Sequence, residues 1–79
     1  MDPFNIVIKA HGEQIDLNIH PQDGVNFKVV YHGGLVGEMF LDNGNWQAEN
    51  SGHADILLDE AVIAKIGREL DLVLGRTSG

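Results

Sequence analysis

Apolar and polar positions alternate along the first half of the chain. Phe4, Ile6 and Ile8 fall on one side of an extended segment, and Asn5, Val7 and Lys9 on the other. Such a period of two predicts a half-buried strand. From Glu13 to His20 the pattern repeats, with Ile15, Leu17 and Ile19 inward and Gln14, Asp16, Asn18 and His20 outward. A two-residue turn at His11-Gly12 would set Ile8 against Ile15, Ile6 against Leu17 and Phe4 against Ile19, so every inner cross-strand pair is apolar. A one-residue slip would send the second strand's aliphatics to solvent.

Pro21-Gln22-Asp23-Gly24 reads as a turn. The next strand, Val25 to His32, places Val25, Phe27, Val29 and Tyr31 in one row and Asn26, Lys28, Val30 and His32 in the other. Gly33-Gly34 breaks the chain before a fourth strand, Leu35 to Leu41. A strict two-residue connection there would put Glu38 beside Val29, an unpaired carboxylate on the inner row. The preferred reading is a three-residue connection with a Gly bulge, pairing Val29 with Met39 and Phe27 with Leu41. Asn43-Gly44 signals a type I′ turn leading to a short fifth strand, Trp46 to Glu49, with Trp46 closing the core; the alternative places Trp46 in a loop.

The remaining pattern is helical. Asp59 suits an N-cap and Glu60 the positive end of the helix dipole. Val62, Ile63, Ile66, Leu70, Val73 and Leu74 recur at helical spacing, and Gly75 is a natural stop. Gly67, costly inside a helix, marks close approach of helix to sheet. The expected fold is α+β: an antiparallel meander sheet of four or five strands with one C-terminal helix on one face. Residues 1–75 would form a single domain and 76–79 a frayed tail.

At 79 residues the chain supports only a thin core. It has no cysteine, which rules out disulfides and Cys-based zinc sites. No apolar run approaches a membrane span, and the N-terminus lacks a basic secretory region, so a cytoplasmic location is expected. Twelve acidic residues against five basic ones give a formal charge of −7. The cations, Lys9, Lys28, Lys65, Arg68 and Arg76, are dispersed, which argues against direct nucleic-acid binding.

Candidate chemistry is sparse. Of the four histidines, His11 and His32 fall in or beside turns at one end of a meander and are the candidate metal ligands, but their spacing supplies no ligand set. No metal or cofactor is expected. Ser51-Gly52-His53 sets a hydroxyl beside an imidazole without an orienting carboxylate, and Glu38 with Asp16 or Glu49 imitates a carboxylate pair. Gly12 and Gly33-Gly34 lack the Lys and following helix of a phosphate loop. No catalytic residue is assigned.

The outer sheet face offers more. Val7, Val30, Val36 and Phe40 would stand there among polar residues, as an interaction surface. The leading expectation is a protein-interaction module, acting through this face or an edge strand and forming a homodimer that relieves the thin core. One alternative is a small metal-dependent or hydrolytic enzyme using the turn histidines. Another is an acidic inhibitor that mimics nucleic acid.

The run Asn26-Phe27-Lys28-Val29-Val30, a Gly turn, a strand, and then Leu58-Asp59-Glu60-Ala61-Val62-Ile63 resembles a group of small uncharacterised bacterial proteins. These consist of a strand meander and a C-terminal helix. The likeness covers residues 25–74 and lies in the layout. It implies that fold and a bacterial source, and it brings no function or site residues.

Overall fold

The computed structural model describes residues 2–52 and 56–75. Five strands are followed by one helix: β1 Phe4–Ala10, β2 Glu13–Pro21, β3 Asn26–Tyr31, β4 Gly34–Asp42, β5 Asn45–Asn50 and α1 Glu60–Leu74. The strands form one antiparallel meander in the order β1-β2-β3-β4-β5. The sheet curls, and α1 lies against both of its edge strands, β1 and β5.

The first hairpin has the register that its alternation predicts, with Ile8 opposite Ile15, Ile6 opposite Leu17 and Phe4 opposite Ile19. His11 and Gly12 form the turn, both in the left-handed region at φ 54° and 78°. That geometry is type I′, whose twist matches that of the flanking strands.

The second hairpin differs from expectation. Its turn is His32-Gly33, at φ 50° and 78°, and Gly34 is already the first residue of β4. An unbroken ladder from this turn would set Glu38 opposite Phe27, in the core. The strand avoids this with one extra residue, Val36, between the pairs Val30–Leu35 and Val29–Gly37. Beyond the bulge Phe27 faces Met39, both fully buried, and Glu38 turns outward opposite Lys28. The expected pairs Val29–Met39 and Phe27–Leu41 are therefore each displaced by two residues along β4. On its other side β4 continues its ladder with β5: the Val36 carbonyl accepts from the Ser51 N–H at 2.9 Å, while the Ser51 hydroxyl donates to the Leu35 carbonyl at 2.8 Å. Bulged strands bend and twist more strongly, which suits a curled sheet.

Asn43-Gly44 makes the third turn of this kind, pairing Leu41 with Trp46 and Met39 with Ala48. At the same end of the sheet, Asp23 accepts from the backbone N–H groups of Val25 and Asn26, and both of its carboxylate oxygens accept from the Asn26 side-chain NH2, closing the β2–β3 connection.

The helix is capped as its sequence predicts. The Asp59 carboxylate accepts from the Val62 N–H at 2.9 Å, and Gly75 ends the helix in the left-handed conformation. Val62, Ile66, Gly67 and Leu70 form its buried stripe. Val73 belongs to that stripe by periodicity yet is 45% exposed. In the last turn Asp71 accepts from the Trp46 side chain and Leu74 packs against the core, beside a depression lined by Phe27 and the Pro21–Gly24 loop.

Two glycines permit the closest packing. At Gly67 the indole of Trp46 lies where a side chain would begin, and the Trp46 N–H donates to Asp71 at 3.0 Å. The same indole meets Phe27 edge-on, centroids 5.6 Å apart. At Gly37 the backbone of Glu49 and the side chain of Leu58 close over the strand. Leu58 is held there by Asn50, whose amide accepts from its N–H at 2.7 Å and donates to its carbonyl at 3.3 Å.

Candidate functional site

The outer sheet face is a grid set by register. Across β1, β2, β3 and β4 one line reads Asn5, Asn18, Val30 and Leu35; across β2 to β5 another reads His20, Lys28, Glu38 and Glu49. Val7 stands opposite Asp16, and Phe40 lies between Asn26 and Gln47. The Asn18 amide donates to the Asn5 side chain, a polar clasp between β1 and β2.

Of the four residues expected to form an apolar contact surface, Val36 is misplaced. It is only 1% exposed and belongs to the core, because alternation from the His32-Gly33 turn sets it inward and the parity of β4 changes only beyond it. Leu35 takes the outward position instead, 46% exposed beside Val30. Val7, Val30 and Phe40 do face outward, but on strands separated by polar partners. Only Val30 and Leu35 are adjacent apolar neighbours across a strand pair. The face is polar with isolated apolar positions, the usual solvated side of an antiparallel sheet. Two shallow depressions, lined by Asn5, Asp16, Asn18, His20, Val30 and His32 and by Lys28, Glu38, Glu49 and Asn50, mark it.

His11 and His32 occupy turns at the same end of the sheet but do different things. The Nε2 atom of His11 is 2.9 Å from the Asp59 carboxylate, tying the β1–β2 turn to the helix N-terminus. The Val62 N–H, and after it the His11 ring, hold the Asp59 carboxyl below the usual carboxylate range against a partial desolvation that opposes them. His32 rests on the ring of Tyr31, centroids 4.0 Å apart. Among the described residues no three His, Asp or Glu side chains converge as metal ligands. His53, and with it the Ser51-Gly52-His53 arrangement, lies outside the described residues, as do Arg76 and the 76–79 tail. Ser51 itself is engaged with β4.

Both edge strands lie against α1, β1 the more extensively, but they are held differently. On β5, Trp46 is packed beneath α1, and Asn50 holds the segment that leads to the helix. On β1, among the described residues, no strand lies beside the side remote from β2. The type I′ turn makes Ala10–Glu13 a hydrogen-bonded pair, so Phe4, Ile6, Ile8 and Ala10 spend their main-chain groups on β2. Those of Asn5, Val7 and Lys9 point away from the sheet. All three residues are exposed, and none makes a backbone hydrogen bond outside β1–β2 among the described residues.

Natural edge strands are guarded by bulges, prolines, charges, shortness or a covering element. β1 runs seven residues in unbroken register, and Lys9 is its only charge. Its outward row is Asn5, Val7 and Lys9, with Val7 47% exposed at the centre. The signal in the sequence is the length and regularity of the first alternating segment together with its position as the first strand of a meander. No helix among the described residues is long and apolar enough to cross a membrane. No family model, curated protein or solved structure matches the chain.

Proposed function

We propose that this chain is a protein-interaction module that takes up an extended segment along the open edge of β1. The observation carrying this reading is the edge itself: a regular strand, packed on α1, whose exposed residues Asn5, Val7 and Lys9 make no backbone hydrogen bond beyond β2 among the described residues. Strand addition supplies such groups with main-chain hydrogen bonds and takes its specificity from alternate side chains. The isolated apolar positions of the outer face support the edge as the seat of binding, since they form no broad patch.

Selection of a random heptapeptide display library on the folded chain tests the reading, with a Val7→Pro variant as counter-target. Proline at Val7 removes an N–H that β2 does not use, and prolines are tolerated on edge strands. Enrichment of alternating apolar–polar peptides on the unaltered chain, lost on the variant, supports strand addition. Equal recovery from both proteins, or no enrichment, refutes it.

A further inference from the structure

The edge of β1 is complementary to itself, and we infer that its occupant is β1 of a second copy. This rests on the reading of β1 as a binding edge and names the partner. In an antiparallel pair with its two-fold axis at Val7, each Val7 stands opposite the partner's Val7, and each Asn5 opposite the partner's Lys9. These are the three residues whose main-chain groups point outward, so each such pair exchanges both N–H···O=C bonds. The hydrogen-bonding parity and the two-fold axis therefore agree without a register shift.

The side chains agree as well. On the outer face Val7 meets Val7, a β-branched pair of the kind that stabilises cross-strand contacts. Lys9, the strand's one charge, meets the neutral amide of Asn5, so no like charges are opposed. On the inner face Ile6 meets Ile8 and Phe4 meets Ala10, continuing the apolar row that the first hairpin already forms. The two curled meanders join into one continuous sheet, with a helix on each inner side.

The alternative edge does not offer this. Trp46 at one end of β5 is engaged with Gly67 and Asp71, and Asn50 at the other with Leu58. A strand added along β5 would lie beside those side chains, whereas the outward row of β1, Asn5, Val7 and Lys9, is exposed.

A single strand pair buries less than the roughly 1,200 Å² at the low end of standard interfaces. The association is therefore of the weak class and is sought at up to about 1 mM chain. Sedimentation equilibrium on the unaltered chain should show the mass rising from one chain to two. Val7→Pro, which removes a donor at the axis, and Val7→Lys, which sets two ammonium groups opposite each other, should both remain at the mass of one chain. Amide exchange on the unaltered chain supplies a readout that needs no variant: exchange at Asn5, Val7 and Lys9 should slow as concentration rises, while that at Ile6 and Ile8 does not change.

A mass of one chain throughout overturns the second copy as occupant, and the peptide selection then decides separately whether the edge binds anything. A dimer that persists in both variants, or exchange at the three outward amides that is independent of concentration, also overturns it and places self-association elsewhere.

Discussion

Replacing Gly67 with Ala sets two opposite effects against each other. Alanine is favoured over glycine inside a helix by about 1 kcal/mol, so on propensity alone the substitution stabilises. The packing says otherwise. A Cβ at this position would lie 2.5 Å from Cδ1 and 2.8 Å from Cγ of Trp46. These are atoms at the root of the indole, so the ring must move as a body. It is held by its N–H bond to Asp71 and by its edge contact with Phe27. Overpacking of this kind costs about 1–3 kcal/mol. If the ring withdraws, it gives up a hydrogen bond to a carboxylate, worth about 1.5–3 kcal/mol, and an aromatic contact worth about 0.5–1.5 kcal/mol. With the ring withdrawn and the helical gain subtracted, a net loss of about 1–3.5 kcal/mol is expected, or very roughly 5–25 °C in melting temperature for a domain of this size. The chain has one tryptophan, so urea unfolding followed by its fluorescence reports both the midpoint and the displacement of the ring. In a Trp46→Ala background, followed by circular dichroism, the same substitution should instead stabilise by about 1 kcal/mol. A Gly67→Ala midpoint equal to or above that of the unaltered chain, with unchanged native emission, would refute the argument.

Three further outcomes follow from the same packing. Leu35→Lys should leave stability within about 0.5 kcal/mol, as exposed substitutions do, whereas Val36→Lys should abolish cooperative unfolding; the reverse order would move the extra residue of β4 to the turn side of Val36. Gly37→Ala should destabilise by at least about 2 kcal/mol in chemical denaturation, since the Cβ would meet the Glu49 backbone, which cannot swing aside, and Leu58; a neutral result would show that β5 and Leu58 do not close over this strand. For Asp59 the sign is set by its lowered pKa: the unfolded carboxyl, near 3.8, binds its proton more readily than the folded one. Its contribution is thus complete well above pH 3.8 and is lost as pH falls through the folded value. Asp59→Asn, which keeps an N-cap acceptor, should flatten the acid limb of the urea midpoint between about pH 5 and 2, and an unchanged limb would count against the Val62 and His11 contacts.

The first hairpin and the helix were legible because each rests on a pattern with one low-energy solution. Alternation on both sides of His11-Gly12 admits one register that buries both aliphatic rows, and Asp59 and Gly75 bracket a periodic run. The second hairpin was not, because two turn-forming pairs overlap in His32-Gly33-Gly34. Reading Gly33-Gly34 as the turn follows from glycine's freedom, but His32 adopts the left-handed conformation as His11 does. The repeated His-Gly dipeptide was the available clue. From that turn, keeping Glu38 out of the core requires an extra residue in β4, and its position decides whether Val36 or Leu35 faces solvent. The expected Val36 surface failed for that reason. Val73 failed for a different one, since periodicity fixes which face of a helix points inward but not where the protein beneath it ends.

Parity on β1 separates folding from association. Ile6, Ile8 and Ala10 are already buried against the helix and β2, so a partner strand would add main-chain hydrogen bonds while removing little further apolar surface from water. Binding of that kind should carry a favourable enthalpy and only a small negative heat-capacity change. A hydrophobic face-to-face dimer would show a larger one. Dilution calorimetry at several temperatures distinguishes the two. The same parity predicts where substitutions act: at Ile6 and Ile8 they should lower the unfolding midpoint, and at Val7 they should lower the association constant with the midpoint of the dilute chain little changed. If truncation of Val7 to Ala unfolded the dilute chain as readily as truncation of Ile6, the odd positions would belong to the core, and β1 would have no outward row with which to bind.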